Sequence, residues 1–364
     1  MRKHYLDNIR WFTVVVVLLY HVLYMYNAEG VLGGLGRITD LPVQHYDVLL
    51  YLVYPWIMPV LYIVAGISSR LYLDRHTGKE FAISRTHRLL VPSTVGVLVF
   101  QFIQGYVNMS LGDAIRDLSA AGVPAPVIYL IMVASGIGVL WFCQLLWVYS
   151  LILLLIRRIE KGRVLTLGAK TPLWMVCLFV LPVWLLGQVL NVPVISVYRI
   201  AFYLAFFLLG YYIFSHDAVM ERLKGAAVLF IGAGAVLCVT FGIVYFYIGK
   251  GANFADAPVN RGILFALCAY FGSLAVLAGF ARFGDFSSAF TEWMSRRSFG
   301  LYVFHYLGIS AVALLIAKPA LLPAPVCYFL SLVAGFLLGY GLYAVISRIP
   351  FFRWAVLGIR KKRG

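Results

Sequence analysis

The sequence predicts an all-α polytopic membrane protein with about ten transmembrane helices and both termini in the cytoplasm. Three observations predict it: 63% of the 364 residues are hydrophobic and only 12% charged, apolar runs recur from end to end, and the basic residues alternate between successive loops. A chain of this composition cannot cover a water-facing globule with polar surface. In hydrocarbon every backbone polar group must be satisfied internally, so runs of about 20 apolar residues are read as spanning helices.

Taken in order, the runs place helices near 9 to 26, 47 to 69, 89 to 109, 135 to 156, 172 to 190, 197 to 214, 225 to 248, 260 to 281, 298 to 317 and 325 to 347. The first follows the basic start MRKH but no small-x-small cleavage site follows it, so an uncleaved anchor is expected. The stretch from Val127 to Ile156 contains Ser135, Gly136 and Gly138 and fits either one tilted helix or a short interfacial segment plus one helix. Of 30 Lys and Arg, 24 fall in one alternate set of loops, which the positive-inside rule assigns to the cytoplasm. The other six are Arg37, Arg116, Arg199, Lys250, Arg261 and Lys318. The net charge of +16 is therefore an orientation signal suited to anionic lipid heads. Short basic loops hugging a membrane give no docking module for nucleic acid.

The first helix carries the most informative pair. Arg10 and His21 are separated by ten almost wholly apolar residues in LDNIRWFTVVVVLLYHVLYMY. Eleven helical steps give about 1100° of rotation and about 16 Å of rise, so both side chains share a face at different depths. An ionisable side chain at membrane depth is a functional candidate by default. The loop after the second helix, SSRLYLDRHTGKEFAISRTHRLLVPS, holds five Lys and Arg within nineteen residues. Arg85 and Arg88, three apart, share a helical face ahead of Pro92 and form either a phosphate fork or an ordinary positive-inside anchor.

Further on, Ser298, Tyr302 and His305 in RRSFGLYVFHYLGIS fall at i, i+4 and i+7, one polar stripe. Trp141, Phe142 and Gln144 fit packing and an aromatic belt, with Gln144 the candidate for contact with substrate. Gly30, Gly33, Gly34 and Gly36 precede no strand-to-helix unit and read as a flexible outer loop. Gly335 and Gly339 form a GxxxG pair, most simply a packing contact. Cys143, Cys177, Cys238, Cys268 and Cys327 stand singly in apolar runs and read as small buried hydrophobes, with no metal-ligand spacing. No repeat or appended soluble domain is evident, so a single integral-membrane domain over residues 1–364 is expected.

Four segments in order resemble the membrane-bound acyltransferase 3 family. LDNIR followed by His21 resembles its first helix, with an Arg, ten residues and a His. YPWIMPVLYIVAGISS resembles its second helix, and RTHR, Arg85 to Arg88, its basic RxxR motif. SFGLYVFHY resembles its SxxxYxxH segment. The wording of LDNIR and PWIMP is closest to the subgroup that includes the glucan succinyltransferase. Some relatives carry an SGNH-type esterase domain after the helices, whereas this sequence stops at KKRG.

The resemblance implies O-acyl transfer from cytosolic acyl-CoA, acting as donor substrate rather than resident cofactor, to a hydroxyl of an envelope carbohydrate, at the inner membrane. In that reading Arg10, Arg85 and Arg88 hold the donor's phosphates and His21 meets the thioester. His21 serves as general base or as an acyl carrier, and Tyr302, His305 or Arg10 supplies a donor to the oxyanion. Asp47, Arg199 and Arg261, at expected helix ends on the outer side, line the acceptor vestibule; with a succinyl donor an Arg there pairs with the free carboxylate. A transporter or flippase would use ten helices with buried polar residues as naturally. The lack of two-fold repetition of interrupted helices and the deep His with a cytosolic Arg cluster favour the donor site. A non-catalytic sensor or assembly subunit would leave His21 free to vary.

Overall fold

The computed structural model describes residues 3–30, 33–192, 198–249 and 253–360. Of the basic residues counted above, Arg2, Lys250, Lys361, Lys362 and Arg363 lie outside the described residues. Among the described residues the chain is helical throughout, apart from turns, loops and one isolated antiparallel bridge between Asn191 and Arg199.

Eight helices are long and apolar enough to cross a membrane: α1 His4–Met25, α2 His45–Leu73, α3 Gly78–Leu111, α5 Gly138–Glu160, α9 Ala227–Ile248, α10 Ile263–Phe283, α11 Ala289–Ala317 and α12 Ala324–Ile346. Shorter are α4 Ala125–Ser135, α6 Leu173–Leu186, α7 Ile200–Tyr212, α8 Asp217–Gly225 and α13 Pro350–Leu357. The expected count of about ten is not confirmed: the described residues give eight such helices by length and composition, or nine if α7 and α8, bent by 105°, form one broken span.

The two segments that fall short, near 172 to 190 and 197 to 214, are helical but stop early. At 1.5 Å per residue, α7 rises only about 20 Å, against a core of about 30 Å. Pro182 removes a backbone donor from α6. α7 begins only after Arg199, whose backbone is non-helical, and ends where His216 turns the chain into α8. The stretch from Val127 to Ile156 resolves as α4 and α5, broken at Gly136 and at Gly138, whose φ of +44° suits glycine.

The chain divides into two compact units, each assembled from separate stretches: 1–13, 48–82 and 148–295 in the first, and 14–47, 83–147 and 296–364 in the second. In the first, Tyr62 stacks on Tyr203 at 5.0 Å and Tyr149 packs against Tyr62 at 5.4 Å, while the Tyr149 hydroxyl donates to the Ile200 carbonyl at 2.7 Å. In this unit α2 packs closely against α7. A Cβ built on Gly66 would stand 2.1 Å from the Phe207 carbonyl oxygen, and one on Gly210 would stand 2.2 Å from that of Ile63. In the second unit, a Cβ on Gly308 of α11 would lie 2.4 Å from the Ala334 carbonyl of α12. Gly339 faces the backbone of His305, and the Gly335 and Gly339 pair is a packing contact. Two wide π-turns interrupt α3, at Thr86–Leu90 and Val97–Gln101.

Because the α2–α7 seam has no room for a methyl group, Gly66→Ala and Gly210→Ala should each destabilise the protein by about 1–3 kcal/mol. Thermal unfolding in detergent checks this: a clear fall in Tm is expected, and an unchanged Tm would show that the seam yields.

Candidate active site

In the second unit α1 carries His21 and α11 carries His305. His305 is fully buried, and Ser298 and Tyr302 on the same face are buried with it, as one polar stripe requires. The ring of His305 is fixed at both nitrogens. Nδ1 lies 3.1 Å from the Leu301 carbonyl and 2.9 Å from that of Tyr302, and Nε2 lies 3.0 Å from Nδ1 of His21. Carbonyl oxygens only accept, so Nδ1 of His305 carries a proton and, in the neutral ring, Nε2 is the acceptor. His21 therefore donates from Nδ1, which leaves the lone pair on its own Nε2. Two acceptors thus bear on the tautomer of His21, Nε2 of His305 on α11 and the Val17 carbonyl of α1 itself.

Aromatic rings enclose this pair. Tyr306 meets His21 edge to face at 5.0 Å, with Tyr20 at 5.3 Å and Tyr24 at 5.9 Å. The Tyr306 hydroxyl donates to the Gly33 carbonyl at 2.8 Å, and the amides of Leu35 and Gly36 bond back to the Met25 carbonyl at 2.8 and 3.1 Å. The glycine-rich segment expected to be a flexible loop is thus fastened to the end of α1 and to Tyr306 within α11. Sequence reading missed Tyr306 and Tyr24. The signal was present in YHVLYMY and FHY, where tyrosines lie beside and one turn beyond the histidines.

The other expected residues of this unit have defined partners. The Tyr302 hydroxyl donates to the Val139 carbonyl, so its proton is already committed. Gln144 donates from Nε2 to the Ser93 carbonyl at 3.0 Å and holds α5 to α3. Asp47 is buried, and its Oδ2 accepts from Gln44 Nε2 at 3.0 Å and from the Ala28 amide at 3.1 Å, closing the loop between α1 and α2. Arg85, half-buried, precedes the first π-turn of α3, and Arg88, exposed, lies within it. Such widened turns recur at functional positions. α13 supports this one from behind: a Cβ on Gly358, whose φ is +63°, would stand 2.4 Å from the His87 carbonyl and 2.8 Å from the Cα of Arg88.

Three expected residues belong to the first unit. Arg10 pairs with Asp7 at 2.6 Å and donates to the Ser68 hydroxyl, so its guanidinium already has an anionic partner. Arg261 is exposed, and its carbonyl accepts from Trp184 Nε1 at 3.1 Å and Gln188 Nε2 at 3.0 Å. Arg199 is buried between Phe202 and Phe265.

The comparisons with known proteins agree with the motifs. The family model Acyl_transf_3, described as an acyltransferase domain, matches residues 3–344, nearly the whole chain. No curated protein and no solved structure matches it. With its aligned length running from the start of α1 almost to the end of α12, the chain belongs to the Acyl_transf_3 family of acyltransferases and is a membrane enzyme.

Proposed function

We propose that the protein transfers an acyl group from a cytosolic acyl-CoA to the hydroxyl of an envelope carbohydrate, with His21 as general base. The observation that carries this reading is the 3.0 Å hydrogen bond between His305 Nε2 and His21 Nδ1, because it leaves a lone pair on Nε2 of His21. The acceptor hydroxyl gives its proton to that nitrogen as its oxygen attacks the thioester carbonyl. The tetrahedral intermediate then collapses with cleavage of the carbon–sulfur bond, and the departing thiolate takes the proton from His21. The products are the O-acyl ester and free CoA, and His21 returns to its starting tautomer.

In this reading His305 is a positioning residue. It holds the proton on Nδ1 of His21 and stabilises the imidazolium that forms when Nε2 is protonated. Arg85 and Arg88, on one turn of α3, hold the phosphates of the donor. The 24 of 30 basic residues in alternate loops support a cytoplasmic placement of both termini and of this turn, in an inner membrane.

Thioester turnover by the purified protein, read as free thiol released with and without acceptor, tests the proposal. His21→Ala should lower turnover by about 10²- to 10⁴-fold while leaving Tm unchanged. Activity within a few-fold of the parent protein would overturn the role of His21. His305→Ala should lower kcat by at least about tenfold with little change in KM, and His305→Gln, whose side-chain oxygen still accepts a hydrogen bond, should recover part of the loss. Equal loss in both variants would contradict positioning through Nε2. Arg85→Ala and Arg88→Ala should each raise KM for acyl-CoA about tenfold, with kcat held. An unchanged KM would reduce the turn to a membrane anchor.

A further inference from the structure

Arg199 is 2% exposed, yet its Nε and Nη1 have no hydrogen-bond partner, and Nη2 reaches the Gly187 carbonyl only at 3.5 Å. No carboxylate pairs with it among the described residues. The guanidinium carbon instead lies over two rings, 4.0 Å from the centroid of Phe202 and 4.9 Å from that of Phe265. Aromatic faces attract a cation, but they do not satisfy its N–H groups. A buried charge without a partner is costly, and its retention calls for a use. Burial pushes the guanidinium pKa down, the nearby Tyr203 and Tyr54 push it up, and Arg261 adds a further downward push.

The start of the next helix favours an anion. Arg199 immediately precedes α7, thirteen residues long, whose dipole places partial positive charge at this end; the Ile200 amide donates to the Leu190 carbonyl at 3.1 Å, and those of Ala201 and Phe202 have no acceptor within the helix. The side chain sits where α6 ends at Leu186 and where α7 and α10 begin. One positive charge between flat rings selects the ligand. A carboxylate is planar, carries one negative charge and matches the guanidinium fork. A phosphate dianion would leave a net negative charge buried against Phe202 and Phe265.

We propose that Arg199, walled by Phe202 and Phe265, is the binding site of an organic carboxylate. The ligand's carboxylate accepts hydrogen bonds from the guanidinium edge and replaces the water that burial has removed. The site lies in the first unit, and the proposal requires no role for His21.

The test is thermal unfolding of the full-length protein in detergent, without turnover. Succinate and acetate are the carboxylate probes, with inorganic phosphate and chloride for comparison at equal ionic strength. The parent protein should show a saturable rise in Tm with either carboxylate and none with phosphate or chloride. Arg199→Met should lose that rise, and its Tm without ligand should equal or exceed that of the parent, because an uncompensated charge has been replaced by an apolar side chain. A ligand-free Tm well below that of the parent would mark Arg199 as a structural cation and overturn the proposal. So would the absence of a carboxylate effect in the parent, or an equal rise with phosphate or chloride. Should Arg199→Met fail to fold, Arg199→Lys keeps the charge without the fork: a weakened carboxylate response at preserved Tm supports the site, and an undiminished one overturns it. Acyl transfer at His21 can succeed or fail independently of every one of these outcomes.

Discussion

The contact on which the active-site account depends is a hydrogen bond between two imidazoles on different helices. The nitrogen on which His21 carries its proton decides whether Nε2 is a base, and the Val17 carbonyl of its own helix shares in limiting that freedom. The Leu301 and Tyr302 carbonyls, at 3.1 and 2.9 Å from His305 Nδ1, limit it further from two groups away. Both carbonyls belong to α11 itself, so the helix that supplies the second histidine also fixes its ring. Close approach of α11 to α12 at Gly308 holds this helix in place, and the Tyr306 hydroxyl on the Gly33 carbonyl fastens the glycine-rich loop beside it.

Much of this was legible in the sequence because it rests on periodicity. The stripe of Ser298, Tyr302 and His305 follows from helical spacing, and all three are buried. The composition and the recurring apolar runs likewise gave an all-helical membrane protein. What periodicity could not supply was the meeting of distant elements. His21 and His305 are 284 residues apart, and no local pattern announces their contact. The buttress of α13 against the Arg88 turn, built on Gly358, was invisible for the same reason. The helix count differs for another reason. Hydropathy registers apolar length, whereas α6 and α7 are cut short by a proline and by the backbone turn at Arg199.

The expected site residues also separate by how their charges are satisfied. Arg10 has Asp7 and is balanced within the fold, whereas Asp47 has Gln44 and the Ala28 amide at Oδ2 only, its buried Oδ1 having no partner. Arg199 has two rings and a distant carbonyl, which balance it poorly. Natural proteins depart from good local energetics mainly where function requires it. Among the described residues one such departure is the buried guanidinium at the head of a short helix.

The tautomer of His21 can be read directly. In protein labelled with nitrogen-15 at histidine, the ring nitrogens distinguish protonated from unprotonated positions, and His21→Gln and His305→Gln spectra assign them. The account predicts a protonated Nδ1 and an unprotonated Nε2 on His21 near neutral pH, with the two tautomers mixing in His305→Ala. A His21 ring protonated at Nε2 and bare at Nδ1 would contradict it.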